Sequence, residues 1–286
     1  MSPGAGPNGL LLIDKPGGST SHDAVATVRR ALGTKKVGHA GTLDPMATGL
    51  LVMGVGRGTR LLRFLGDQVK TYVGSFRLGI ETDTLDAEGT VTRRTPVEEM
   101  AEEQVVAAMS LLEGDLLQRP PAYSAVKVGG RKLYEAARHG ETIHASPRAI
   151  RVERFELAMF ASPDVDFVVR CSGGTYVRML AADVGARLGC GAHLTRLRRT
   201  AIGSFDVAAA RPPEDPGELL PLEQAVAHLP RVELQPDEAV AVSHGRILGP
   251  AGLVGPYAVF APDGRVLGVY RDEGAKAKPE VILAPA

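Results

Sequence analysis

Apolar residues return along the chain in two rhythms. Leu10-Leu11-Leu12-Ile13 and Leu50-Leu51-Val52-Met53 are short unbroken apolar runs bounded by turn residues, the pattern of buried strands. Tyr72, Gly74, Phe76 and Leu78 fall on one side of 70–79, and Val165, Phe167, Val169 and Cys171 alternate in the same way. Each set predicts a strand with one face on a core, and 150–159 and 193–200 read as further strands. The other rhythm is helical. Val25, Val28 and Leu32 form a stripe between the capping run Ser19-Thr20-Ser21 and Gly33. Val105, Met109 and Leu112 form a second, closed by Gly114, and Val177, Leu180, Val184 and Leu188 a third, closed by Gly189. Between these, Gly54 to Thr59 turns the chain into a helix with Arg57, Arg60 and Arg63 on one face, solvated or against phosphates. After a stiff proline-rich stretch at 211–221, the pattern from about residue 231 is strands and turns. There 257–260 and 265–270 flank Ala261-Pro262-Asp263-Gly264 as a hairpin. The expected fold is α+β. A mixed, largely antiparallel sheet flanked by helices occupies 10–230, a disordered leader 1–9, and a small β-rich domain 231–286.

Some features stand outside both rhythms. Gly38-His39-Ala40-Gly41-Thr42-Leu43-Asp44-Pro45-Met46-Ala47-Thr48-Gly49 is a turn-forming stretch that ends in the apolar run from Leu50. Pro45 fixes its own φ and pushes Asp44 out of the helical region, so one carboxylate is presented at the mouth of the core. A turn-initiating aspartate fits the same residues equally well. Residues 118–148 interleave basic and aromatic side chains around Gly129-Gly130, the composition of an RNA-gripping segment. Arg178, on the first turn of its helix, opposes the helix dipole and needs an anionic partner, for which Asp44 is the candidate.

Composition removes several alternatives. The 286 residues carry 33 basic and 33 acidic side chains, a balance that by itself argues against a nucleic-acid binder. The charges are segregated, however. Residues 1–66 hold eight basic against three acidic and 170–200 six against one, while 81–115 hold ten acidic against two basic. A basic face with an acidic back binds phosphate locally while staying neutral overall. Cys171 and Cys190 make neither metal spacing nor a disulfide framework. The glycines at 54, 56 and 58 fail both nucleotide-loop patterns. The acidic run from Glu81 to Gly89 lacks the calcium-loop spacing and reads as a solvated turn. No apolar run is long enough to span a membrane and no signal pattern opens the chain, so a cytoplasmic location is expected, without membrane, metal or cofactor.

The stretch GHAGTLDPMATGLL at 38–51 resembles the catalytic motif of the TruB family of tRNA pseudouridine-55 synthases. The similarity continues through DKPxGxTSxD from Asp14, KTYxxxxxLG from Lys70, YSAxKxxGxxLYExAR from Tyr123, GTYxR from Gly174 and LRRT from Leu197. It implies the pseudouridine-synthase fold and isomerisation of uridine 55 in the tRNA T-loop, without cofactor or metal. By that resemblance Asp44 is the catalytic aspartate and Tyr72 stacks on the target base. Arg178 pairs with Asp44, keeping it ionised with a lowered pKa, while Tyr176 lines the uridine pocket and Leu197 packs on the base. His39 fills the space left by the flipped nucleotide, Lys15-Pro16 lies along the cleft, and Lys127 belongs to an insertion that closes over the tRNA. The tail resembles a PUA-like RNA-binding domain, and a monomer acting on the T-arm is expected. A non-catalytic tRNA-binding protein on the same fold is the alternative from another class, and a hydrolytic nucleosidase would betray itself by releasing uracil.

Overall fold

The computed structural model describes residues 6–97, 100–124, 126–138, 141, 143, 145–243 and 245–283. Residues 1–5 of the expected leader lie outside the described residues, and Gly9 already pairs with Val55. The chain opens with β1 (Gly9–Lys15), α1 (Ser21–Leu32), β2 (Val37–Ala40) and β3 (Thr48–Val55). Thr20 and Asp23 form a reciprocal capping box at the start of α1, and Gly33, at φ 62°, closes it. The helix lays Ala24, Val25 and Val28 on Leu11, Ile13, Leu51 and Met53. That accounts for the unbroken apolar runs, because both faces of β1 and β3 are covered.

A 3₁₀ turn over Gly56–Arg60 leads to α2 (Leu62–Gly66), then β4 (Lys70–Leu78) and a two-stranded ribbon of β5 (Ile80–Thr82) and β6 (Val91–Arg94). Next come α3 (Glu102–Ser110), β7 (Gly114–Gln118), the short hairpin β8 (Lys127–Val128) and β9 (Arg131–Lys132), and α4 (Leu133–Arg138). Gly114, at φ 92°, opens β7 instead of capping α3, which ends four residues earlier in a turn that still buries Leu112. The long strands β10 (Arg148–Ala161) and β11 (Asp164–Cys171), then α5 (Val177–Arg187), β12 (Ala192–Ile202) and β13 (Phe205–Asp206), complete the larger unit.

Among the described residues these strands make one nine-stranded sheet of order β1-β3-β12-β4-β11-β10-β7, with β2 on β3 and β13 on β12. All neighbours are antiparallel except β12 and β3, which meet in parallel at Arg198–Thr48 and Arg199–Gly49. Alternate residues of β4 and β11, including Tyr72, Phe76, Phe167 and Val169, face α3 and α5 in the largest core. The stretch at 211–221, expected to be a linker, instead bonds to β1. Backbone hydrogen bonds join Leu10 with Leu220, and Leu12 and Asp14 with Arg211. It covers the sheet edge that would otherwise be open.

The second sheet has the order β14 (Arg231–Glu233), β15 (Pro256–Phe260), β16 (Val266–Glu273) and β17 (Lys276–Ile282), with α6 (Pro236–Ser243) beside it. One face makes its own core with Leu234, Val242, Tyr257 and Tyr270. The other lays Ala258, Phe260, Val266 and Val269 on Leu61, Phe64 and Leu65. Two of the three arginines expected to face solvent or phosphate serve this junction. Arg60 donates to the Ile282 carbonyl (2.8 Å) and Arg63 pairs with Glu280. No helix among the described residues is long and apolar enough to cross a membrane.

Candidate active site

The Asp44 loop is held by its backbone from several sides. Lys15 is wholly buried, and its ammonium donates to the carbonyls of Pro16 (2.9 Å), Ser19 (2.6 Å) and Pro45 (3.3 Å). With all three donors engaged, it fixes the peptide beside Asp44. The Ser21 hydroxyl accepts from the Leu43 N–H (2.9 Å) and donates to the Leu43 carbonyl (3.1 Å). Arg199, also buried, donates to Gly41 (2.9 Å) and Leu50 (2.8 Å), one carbonyl on each side of the aspartate. Gly49, at φ 100°, is required where β12 crosses, since a Cβ there would lie 2.3 Å from the Arg199 carbonyl oxygen.

Arg178 is the hub. Its Nε lies 2.9 Å from Asp44 Oδ2, an ion pair out of line for a hydrogen bond, and its Nη2 donates to Asp44 Oδ1 (3.3 Å). The same Nη2 donates to the Tyr123 carbonyl (2.9 Å), while Nη1 donates to the Thr84 carbonyl (2.7 Å) and to Asp86 Oδ2 (3.2 Å). The acidic run expected to be a solvated turn therefore folds inward. Asp86 is buried, and Leu85, at φ 63°, turns the chain so that its carbonyl accepts from the Leu194 N–H (3.0 Å) on β12. Two carboxylates share one guanidinium.

The pair is open on one side only, with the Asp44 side chain 36% exposed and that of Arg178 4%. The carboxyl still sits deep enough in the cleft for desolvation to push its pKa above the ordinary range. Arg178 opposes that rise and the Asp86 charge adds to it. Pairing therefore does not give the lowered pKa expected from the sequence, because burial and the second carboxylate outweigh the cation.

Tyr72 and Leu197 are buried in the same apolar cluster as Leu43 and Ala47, on either side of the aspartate in sequence. Burial pushes the Tyr72 phenol up, and the Arg199 guanidinium lies 6.0 Å from its ring centre. Tyr176 is the N-cap residue of α5, with the Arg148 guanidinium 5.6 Å from its ring centre. His39 sits on β2 with its ring edge-on to His22 at 5.7 Å. Its Nδ1 is buried without a partner, and burial pulls its pKa down to about 4, so the ring is neutral. Lys127 is exposed on the β8–β9 hairpin. Asp86 and Arg199 are the residues that the sequence reading missed. The need of Arg178 for an anion is the available signal, and in the sequence it points to one aspartate alone. No group of three or more His, Cys, Asp or Glu side chains suited to a metal ion occurs among the described residues.

Comparison with known proteins gives first the class. Residues 29–177 match the model of the TruB family pseudouridylate synthase (N terminal domain). Residues 178–215 match the tRNA pseudouridylate synthase B C-terminal domain, and 229–284 the tRNA pseudouridine synthase II C terminal. The crystal structure of a Cbf5-Nop10-Gar1 complex contains a chain of TM-score 0.75 and 27% identity, over 97% of this chain and 85% of that one. A structure of an H/ACA RNP bound to a substrate RNA containing 2'-deoxyuridine gives 0.74 and 25% over the same shares. Among curated relatives, the tRNA pseudouridine synthase B of Mycobacterium sp. (strain KMS) is 47% identical over 97% of each chain. That of Mycobacterium ulcerans (strain Agy99) is 46% identical, over 99% of this chain and 97% of its own. The chain belongs to the TruB family of pseudouridine synthases.

Proposed function

We propose that this enzyme converts uridine 55 in the T-loop of tRNA to pseudouridine, with Asp44 as its reacting carboxylate. The observation that carries the reading is the half-open Asp44–Arg178 pair beside Tyr72 and Leu197. The relatives' name, tRNA pseudouridine synthase B, supports the substrate. The reaction breaks the C1′–N1 bond, turns the base over and joins C5 to C1′. N1 gains a proton and C5 loses one, so atoms and electrons balance without a redox partner or a cofactor. The uracil anion is stabilised enough to leave without a second carboxylate, unlike the leaving groups of glycosidases. Asp44 starts the sequence from its ionised form, by attack at C1′ or C6 or by taking the 2′ proton, and Arg178 keeps that form available against the pull of burial. Extruding the base costs roughly a few kcal/mol, which stacking on Tyr72 offsets by ~1–3 kcal/mol. Leu197 and Leu43 exclude the water that would trap the sugar.

In this reading 10–230 is the catalytic domain. Its insertion at 118–148, with Lys127 exposed on its hairpin, grips the T-arm, and 231–286 is a PUA-like RNA-binding module. The protein acts as a cytoplasmic monomer. A tRNA transcript labelled with tritium at C5 of uridine tests the proposal. One equivalent of label is expected per tRNA, none from a transcript with cytidine at 55, and none with Asp44→Asn despite retained RNA binding. Binding without release in the unaltered enzyme overturns the catalytic reading, and free uracil makes it a nucleosidase.

A further inference from the structure

The start of the insertion at 118–148, which runs on directly from β7, reaches the first turn of α5 at two points. At its start, the buried Gln118 side chain donates through Nε2 to the Tyr176 carbonyl (3.1 Å) and accepts through Oε1 from the Tyr176 N–H (2.7 Å). Only this orientation of the amide satisfies both groups. Farther along, the Tyr123 carbonyl accepts from Arg178 Nη2 (2.9 Å). Tyr176 is the N-cap of α5 and offers no side-chain cap of its own. The glutamine does not replace that cap; it pairs with the N-cap peptide itself, as a neighbouring strand would, at a carbonyl that also accepts from the Met179 N–H (3.1 Å). Arg178 follows two residues later, and every acceptor it meets belongs to another segment, at 44, 84, 86 or 123. A small rotation of the first turn of α5 would detach it from all of them.

Gln118 also borders a cavity of about 420 Å³, together with Leu112, Leu116, Ile150 and Leu180. Its two hydrogen bonds to Tyr176 fix which way the amide faces there, and leucine and glutamate are close to glutamine in size. We propose that Gln118 is a positioning residue for the isomerisation. It locks Tyr176 and the first turn of α5 so that Arg178 meets Asp44, and it ties the insertion to that pair. The inference rests on the reading of Asp44 and Arg178 given above.

Two variants test it in single-turnover assays with tRNA, alongside RNA affinity and melting temperature. Gln118→Leu removes both bonds, and the expected loss of rate is about 10- to 100-fold, as for small misplacements of a reacting group, with RNA affinity unchanged. Gln118→Glu still accepts from the Tyr176 N–H, but as a carboxylate it cannot donate to the carbonyl. Protonation restores the donor, so its rate relative to wild type is expected to rise as pH falls. The charged groups facing the introduced carboxyl are Asp183 and Arg187 of α5, which line the same cavity, and Arg148, opposite Gln118 on β10. A merely structural glutamine would lower the melting temperature and leave that ratio flat. Wild-type rates in both variants, or a loss that follows melting temperature without the pH response, overturn the proposal. Activity in Asp44→Asn would instead sink the reading of the pair, whatever the glutamine variants do.

Discussion

The loops around Asp44 and Asp86 offer the same side chain to the same guanidinium and leave it in different surroundings. Asp44 Oδ2 lies 2.9 Å from Arg178 Nε and Asp86 Oδ2 3.2 Å from Nη1. Asp86 is closed off, since its other oxygen accepts from the Thr84 hydroxyl (2.6 Å) and the Glu88 N–H (3.1 Å) and its side chain is shut away from solvent. Asp44 spends its carboxylate on the arginine and keeps an open side. A buried, closed-off carboxylate is a fixed counter-charge, whereas an open one pressed by burial is available for chemistry. Residue type and partner do not separate the two carboxylates; solvent access and the number of other donors do.

Four substitutions would break or sharpen this contrast. Asp44→Asn is expected to lower turnover by at least about 10³-fold while tRNA still binds, as measured by label release and filter binding. Asp86→Asn is expected to cost about 10- to 100-fold in single-turnover rate by loosening Arg178. It should also move the acid limb of the rate profile to lower pH. The Asp86 charge raises the Asp44 pKa, so without it Asp44 stays ionised further into acid. A limb moving upward would show that Asp86 acts on something other than Asp44. Gly49→Ala forces a side chain into φ 100° and against the Arg199 carbonyl, and a loss of about 1–3 kcal/mol is expected in denaturant unfolding. Leu85→Gly is the counterpart in the second loop. It relieves a left-handed leucine at φ 63°, but the added chain entropy offsets the gain, and a net change below about 1 kcal/mol is expected.

Much of this architecture could be read along the chain, for reasons that are local. The α1 capping box, the alternation in β4 and β11 and the hairpin of β15 and β16 each follow from neighbours a few residues apart. The Arg178–Asp44 pair was legible because a cation at a helix N-terminus demands an anion. What escaped depends on distant partners. Asp86 looked like one charge among many in an acidic run, and its arginine lies 92 residues on. Arg60 and Arg63 looked like a free basic face, yet their acceptors are 222 and 217 residues away. Arg199 looked like part of a basic strand, while its work is to hold carbonyls of the Asp44 loop. Side-chain type announces a need for a partner, but the chain alone does not say which of several distant segments meets it.

The parallel meeting of β12 with β3 also sets an order of events during synthesis. The loop that carries Asp44 leaves the ribosome early, but Arg199, which secures Gly41 and Leu50, follows 158 and 149 residues later. Contacts so far apart in sequence form only after the intervening chain exists. The Asp44 loop is therefore synthesised long before the residue that holds its carbonyls, and it can take its final geometry only once the chain has extended past Arg199.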